Sequence, residues 1–199
     1  RFMAQLPYRL TDAQSRVVEE IQTDVASGVP MLRLVQGDVG SGKTVVAALT
    51  ALAAISRGGQ AALMAPTELL AEQHAKTFSA WFDALGIRTV LHTSKQSAPI
   101  RRANLKAIAG EADMVIGTHA LMQEHVAYRQ LDLVMIHEQH RFGVGQRLSL
   151  RDKGESDALS PHQLILTATP IPRTLAMSAY ADLDVSVIDA LPPGRTPVQ

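Results

Sequence analysis

The sequence predicts an α/β fold, a doubly wound and mostly parallel sheet whose strands are joined by helices. Short apolar segments of strand length alternate along the chain with longer segments in which apolar residues recur at helical spacing. In addition, a glycine-rich segment at residues 37–44 follows the apolar residues 31–35 and precedes a helix-forming run. A glycine loop between a strand and a helix is typical of α/β folds that hold phosphate groups at the helix N-terminus.

Composition excludes several classes of protein. The chain has 199 residues, of which 46% are hydrophobic, and this is enough for a packed core. Its 19 basic and 19 acidic residues cancel, so no overall positive field indicates a nucleic-acid partner. The absence of cysteine excludes disulfides and thiolate metal sites and favours a cytoplasmic location. The longest apolar run, residues 45–55, is far shorter than the roughly 20 residues that cross a bilayer, and no membrane partner is expected.

The first predicted helix follows Thr11 and ends near Gly28. Thr11 and Gln14 have the spacing of a capping box, in which each side chain bonds the backbone N–H of the other residue. A glutamine just upstream of a phosphate loop also suits an adenine ring, because its carboxamide donates and accepts hydrogen bonds at once. The sequence leaves both roles open, and one residue can fulfil both.

The remaining elements follow in alternation. Helices are predicted at residues 45–55, from residues 66–68 to a stop at Gly86, and at residues 101–108. The second of these is expected to bury a face formed by Leu69, Leu70, His74, Phe78 and Trp81. The basic residues of the third are interpreted as a solvated face. Further strands are predicted at residues 61–65, 87–91, 113–116, 131–136, 163–166 and 184–188.

The glycine-rich segment matches the phosphate-loop pattern G-x-x-x-x-G-K-[ST] in full, with Gly37, Asp38, Val39, Gly40, Ser41, Gly42, Lys43 and Thr44. Its glycines let the backbone curl around phosphates and direct several N–H groups at them. Lys43 is predicted to reach the outer phosphates and to take part in catalysis, and the Thr44 hydroxyl to hold Mg²⁺. All eight residues are therefore predicted to bind a nucleoside triphosphate.

An acidic residue follows the strand predicted at residues 131–136. Glu138 lies where the carboxyl ends of parallel strands meet, which is where ligands bind in such sheets. A carboxylate there can polarise the water that attacks the γ-phosphate, so Glu138 is predicted to be catalytic and to lie at the metal. A zinc protease is excluded because Arg141 stands where the H-E-x-x-H pattern needs its second histidine.

Three histidines and two threonines near the predicted strand ends have weaker interpretations. A metal cluster of His119, His137 and His140 is disfavoured, since scattered histidines usually satisfy ordinary hydrogen bonds. Thr167 and Thr169 follow the strand predicted at residues 163–166, where their hydroxyls could sense the nucleotide or cap the next helix.

Together these segments resemble the motif series of a superfamily 2 helicase motor. The matching segments are Gln14, GDVGSGKT at 37–44, APTELLAEQH at 65–74, GTHAL at 117–121, the acidic box at Glu138 and TATPIPRTL at 167–175. More narrowly, VQGDVGSGKT, PTELLAEQH, EQHRFGVGQR and DLDVSVIDALPPGRTP are similar to the RecG-type helicases, which use ATP to remodel branched DNA and stalled forks. The transcription-repair coupling factors are similar through GTH, HRFGV and TATPIPRTL, and they are the second candidate.

The resemblance implies a RecA-like motor lobe at residues 1–190 and the start of an interdomain linker at 191–199. It implies ATP and Mg²⁺ as cofactors, and branched DNA as the partner, contacted through its phosphate backbone. A second motor lobe and a DNA-binding wedge domain would belong to the same protein, which is expected to be a monomer. The resemblance assigns further roles to two sets of residues: DNA contacts to Thr67, Glu68, Gly117 and Thr118, and coupling of nucleotide state to movement to Gln139, His140, Thr167 and Thr169.

Three positions depart from the family pattern. The family has aspartate where this chain has His137, and glutamate where it has Ala190, while residues 91–95 lack a glycine that the family often carries. Mg²⁺ prefers oxygen ligands, and an imidazole supplies neither the charge nor the hard donor. The sequence thus predicts that ATP binding survives and that Mg²⁺-dependent hydrolysis is impaired. A nucleotide-binding module without turnover is the alternative, and a small-molecule kinase is disfavoured by the TATP and GTH segments.

Overall fold

The computed structural model describes residues 10–37, 42–138, 161–168 and 184–188. These residues form a seven-stranded sheet in the order β3-β4-β2-β5-β6-β1-β7, and every pair of neighbouring strands is parallel. The predicted doubly wound α/β class is therefore confirmed. The strands are β1 (Leu32–Gly37), β2 (Gln60–Met64), β3 (Thr89–His92), β4 (Met114–Gly117), β5 (Leu131–Glu138), β6 (His162–Thr167) and β7 (Asp184–Ile188).

Four helices are described: α1 (Asp12–Ala26) precedes β1, and α2 (Lys43–Ser56), α3 (Glu68–Phe82) and α4 (Ala98–Ala109) lie between strands. Two short 3-10 helices, Asp83–Leu85 and His119–Met122, follow α3 and β4. Among the described residues, no helix combines the length and the apolar character needed to cross a bilayer.

The described core consists of two apolar clusters, because successive residues of a strand point to opposite faces of a sheet. Residues of α1, α2 and α3 pack on one cluster, which includes Leu63 of β2 and Met135 of β5. Residues of α4 pack on the other cluster, which includes Met64 and Ile136 of the same two strands. Helices thus cover both faces of the sheet, and the central strands read as continuous apolar runs.

Helix α3 differs from its prediction at one residue. Leu69 was expected on the buried face, but it is 64% exposed, whereas Ala71, Phe78 and Phe82 are fully buried. Leu69 precedes Phe78 by nine residues, which is about two and a half helical turns, so the two side chains point in opposite directions. The predicted stop at Gly86 is confirmed, since this glycine adopts φ +74° after the 3-10 helix.

Arg33 of β1 fixes α1 against the edge of the sheet. Its guanidinium donates to Asp24 at 2.6 Å and Glu20 at 3.1 Å, both on α1, and to the Ser186 hydroxyl of β7 at 2.7 Å. Arg33 as a whole residue is 9% exposed, so these partners supply the hydrogen bonds that water would otherwise make. This network holds α1 beside the strand that leads into the phosphate loop.

Candidate functional site

The ends of three neighbouring strands bring the predicted nucleotide residues together. In the sheet register, Gln36 of β1 lies beside Thr167 of β6, and Thr167 lies beside Glu138 of β5. Gly37, the first residue of the phosphate loop, therefore stands at the same edge as the predicted catalytic Glu138. The structure describes only the backbone of Glu138, and Thr167 is buried. Ligands bind at this edge of a parallel sheet.

The described part of the phosphate loop consists of Gly37, Gly42, Lys43 and Thr44, while residues 38–41 lie outside the described ranges. Gly42 adopts φ +89° and is the N-cap of α2, so Lys43 and Thr44 occupy its first turn. The Lys43 ammonium donates to the Gly37 carbonyl oxygen and so joins the first residue of the loop to α2. Backbone N–H groups of a first helical turn lack intrahelical partners, which suits them to phosphate oxygens.

Gln14 connects the start of α1 to this loop. Its Oε1 accepts from the Thr11 N–H at 2.8 Å, and the Thr11 hydroxyl accepts from the Gln14 N–H at 3.1 Å, which confirms the capping box. Its Nε2 donates to the Gly42 carbonyl at 3.5 Å, and the whole residue is buried. Gln14 therefore joins the start of α1 to Gly42, while its contact with adenine stays a prediction.

A contact between two histidines at this edge was not predicted. Nε2 of His74, on α3, lies 2.8 Å from Nδ1 of His137, on β5, and the ring centroids are 5.0 Å apart at 63°. We call His74 and His137 the histidine pair. The sequence placed His74 on the inner face of α3 but gave no sign of which strand end it meets, because that depends on β2 and β5 being neighbours.

Both rings of the histidine pair are held neutral. Burial, and then the proximity of His137, lower the pKa of His74 to about 4. Burial, and then the charge of Lys43, lower the pKa of His137. A hydrogen bond between two neutral imidazoles needs an N–H on one ring and a lone pair on the other, so each ring still carries one further nitrogen for another contact.

The residues predicted to bind DNA lie at the ends of two neighbouring strands, β2 and β4. The Ala65 N–H, just after β2, donates to the Gly117 carbonyl at 2.8 Å, and Thr67 and Glu68 follow at the start of α3. Thr67 is the N-cap of α3 and accepts from the Leu70 N–H at 3.2 Å. This group and the nucleotide group share one sheet edge and are adjacent there, because β2 lies beside β5.

Gly117 and Thr118 also have structural roles at that edge. A Cβ at Gly117 would lie 2.1 Å from the His92 carbonyl oxygen of β3, so only glycine lets strands β4 and β3 approach this closely. Thr118 is 2% exposed, and its hydroxyl accepts from the Ala120 N–H to cap the 3-10 helix. His119 follows it as an exposed residue, whereas Gln139, His140 and Thr169 lie outside the described ranges.

Comparison with known proteins decides the family. The model of the DEAD/DEAH box helicase family matches residues 11–178, and this range is more than half of the chain. The chain belongs to the DEAD/DEAH box helicase family. This confirms the predicted membership of the superfamily 2 helicases and the RecA-like lobe.

Within this helicase family the similarity to RecG is high. The chain is 63% identical over 199 residues to the ATP-dependent DNA helicase RecG of Escherichia coli K12, and 61% identical to that of Haemophilus influenzae. Each alignment covers the whole chain and 29% of the relative, so the chain spans less than a third of the length of these relatives. The predicted RecG-type resemblance is confirmed.

Solved helicase structures share the fold of this chain. A structure of RecG bound to a three-way DNA junction matches all of this chain and 26% of its own, with 44% identity and a TM-score of 0.84. The Hef helicase domain of Pyrococcus furiosus, at 21% identity and a TM-score of 0.65, covers 89% of this chain and 38% of its own, and shows the fold alone.

The helicase family implies Mg²⁺ beside the nucleotide, and the described residues fit it only in part. Thr44 offers an oxygen ligand, but position 137 offers an imidazole whose Nδ1 is engaged with His74. Mg²⁺ requires hard oxygen ligands, so His137 does not fit the ion. Within the described ranges, no three histidine, aspartate or glutamate side chains are grouped to hold a metal.

Proposed function

We propose that this chain is the ATP-binding motor lobe of a DNA helicase that remodels branched DNA, such as stalled forks and Holliday junctions, in recombination and repair. The register of β1, β6 and β5, which brings Gly37, Thr167 and Glu138 to one sheet edge, supports this proposal most directly. The chain is similar to RecG helicases, and one solved RecG structure holds a three-way DNA junction. This similarity supports branched DNA as the substrate. Residues 1–190 would form the lobe and residues 191–199 the linker, with a second lobe and a wedge domain elsewhere in the protein.

The proposed chemistry begins with the phosphate loop, residues 37–44. An entering triphosphate replaces the Gly37 carbonyl as the partner of the Lys43 ammonium, which then neutralises charge on the outer phosphates. Glu138 is the proposed base for the attacking water, and Gln14 orients the loop and the adenine. Mg²⁺ is the metal that the helicase family implies beside ATP, and we propose that Thr44 would supply it with an oxygen ligand. His137 would supply none to this ion, because an imidazole does not suit Mg²⁺.

DNA is proposed to bind at the other half of the same edge, through Thr67, Glu68, Gly117 and Thr118. Because Thr118 is buried, its contact with a phosphate would come from the backbone. Coupling is assigned to Gln139, His140, Thr167 and Thr169. The protein is proposed to act in the cytoplasm as a monomer.

A second function, nucleotide binding without turnover, is favoured by one observation. His137 replaces the expected carboxylate and contacts His74, so the lobe lacks the charge that balances the metal in this family. In that case ATP would switch the protein between shapes, and hydrolysis would be slow.

The test is an ATPase measurement on the full-length protein with a three-way junction, with linear duplex and without DNA. We expect ATP to bind, the junction to raise the rate above that with duplex, and His137→Asp to raise it further in Mg²⁺. Lys43→Ala, the matched control, should lose turnover in all three conditions. A rate that the junction does not change in either the parent or His137→Asp would refute the helicase proposal and favour the module without turnover.

A further inference from the structure

We propose that His137 is a nitrogen ligand for the metal that accompanies the nucleotide, that His74 orients it, and that the site prefers a transition metal such as Mn²⁺ or Co²⁺ over Mg²⁺. This inference rests on the proposed binding of ATP by the phosphate loop. An imidazole at position 137 does not suit Mg²⁺, but it suits a metal that accepts nitrogen ligands.

The geometry leaves one nitrogen of His137 for a ligand. Nδ1 of His137 is 2.8 Å from Nε2 of His74, so it is engaged, and no described residue bonds the other nitrogen, Nε2. The ring is only partly buried, and it precedes Glu138 in the last two residues of β5. His137 therefore lies at the strand end where the nucleotide and its metal are expected, and its Nε2 is bonded by none of the residues that the structure describes.

The histidine pair has the arrangement that tunes metal-binding histidines in other proteins. A ligating imidazole usually donates its second N–H to a neighbouring acceptor, which sets the tautomer and the orientation of the ring. Here Nδ1–H of His137 can donate to the lone pair of His74 Nε2, and this leaves a lone pair on Nε2 of His137. Nε2 of His74 lies within hydrogen-bonding distance, at 2.8 Å, so a neutral His74 ring can accept this proton.

The donor set determines the class of metal. Imidazole suits borderline metals, and affinity for nitrogen-containing sites rises from Mn²⁺ through Co²⁺ to Cu²⁺, whereas Mg²⁺ keeps to oxygen. His137 with the Thr44 hydroxyl, phosphate oxygens and water forms a mixed nitrogen and oxygen set. This set selects against Mg²⁺ relative to the carboxylate of the family pattern.

Charge determines when the metal binds. The Lys43 ammonium interacts electrostatically with His137, and a positive charge at this place repels a divalent cation. A triphosphate brings negative charge that offsets both the ammonium and the metal. The metal therefore binds together with the nucleotide, and a titration of the empty protein with Mn²⁺ should show no binding at this site.

The test is pulsed electron paramagnetic resonance on the full-length protein with Mn²⁺ and a non-hydrolysable ATP analogue. Coupling to phosphorus reports the metal–nucleotide complex, and coupling to nitrogen reports a histidine ligand. Equilibrium dialysis of the same nucleotide analogue, with and without Mn²⁺, reports its binding to the protein. Labelling the protein's histidines with ¹⁵N separates the imidazole signal from the adenine signal. The variants are His137→Asp, His74→Phe, His74→Gln and, as a matched control, the exposed histidine His119→Phe.

We expect histidine nitrogen coupling in the parent protein and in His119→Phe, and none in His137→Asp. His74→Phe should weaken the coupling and reduce the preference for Co²⁺ over Mg²⁺ by about tenfold, whereas His74→Gln, which can still accept from Nδ1–H, should restore both. Failure of the protein to retain the nucleotide analogue in dialysis, with or without Mn²⁺, would overturn the proposed ATP binding, and this inference with it. Retention of the nucleotide without histidine nitrogen coupling would overturn this inference alone.

Discussion

Mild acid should destabilise this chain through His74. Its pKa is about 4 in the folded chain, because burial and the neighbouring His137 disfavour the imidazolium, and about 6.5 in an unfolded chain. Between these values the unfolded state binds a proton that the folded state excludes. The contribution of neutral His74 to the free energy of unfolding is therefore fully present above pH 6.5, and it is lost as the pH falls toward 4.

The size of the effect follows from the same two values. A shift from about 6.5 to about 4 corresponds to at most about 3 kcal/mol, and about 2 kcal/mol of this is lost between pH 7 and pH 5. The pKa of His137 is also lowered, by burial and then by Lys43, so its contribution has the same sign.

The assay is urea unfolding of the chain at several pH values from 7 to 5, in the parent and in His74→Phe. The phenyl ring keeps an aromatic contact with Phe78 but cannot take up a proton. We expect the variant to lose about 2 kcal/mol less than the parent over this range. His119→Phe serves as the control, because it makes the same substitution at an exposed histidine outside the histidine pair. An identical dependence in the parent and in His74→Phe would refute the reasoning.

Two further predictions concern glycines. Gly42→Ala should cost at least about 1–2 kcal/mol from its φ of +89° and should weaken ATP binding as well, because the new Cβ would lie 1.7 Å from Nε2 of Gln14. Gly28 has a similar φ, and a Cβ there would meet no atom within 4 Å. Gly28→Ala should therefore lower the free energy of unfolding without weakening the binding of a fluorescent ATP analogue. Gly117→Ala should destabilise the chain by about 3 kcal/mol or more, because its Cβ would lie 2.1 Å from a backbone oxygen of β3. Gly110→Ala, whose nearest atom is at 3.4 Å, is the control, and equal unfolding midpoints for the two alanine variants would contradict the argument.

Local pattern was sufficient for the elements of the fold. The phosphate loop lies between β1 and α2 as predicted, and Thr11 and Gln14 form the expected capping box, because both features depend on residues a few positions apart. The strand at Asp184–Ile188 has the predicted bounds, and β5 continues to Glu138, two residues past its prediction. Leu69 was misplaced because both Leu69 and Leu70 are apolar, and only the buried Phe78 and Phe82 define which face of α3 meets the sheet.

The sequence by itself determined the class of fold, the phosphate loop and the unusual residue at position 137, since each is a matter of residue type and spacing. Only the tertiary structure showed that His137 contacts His74, that Gln14 bonds Gly42, and that the nucleotide and DNA groups share one edge. These contacts join residues that are 28 to 63 positions apart. They depend on the order of the strands, with β2 beside β5 and β6 beside β1, and no local pattern encodes that order.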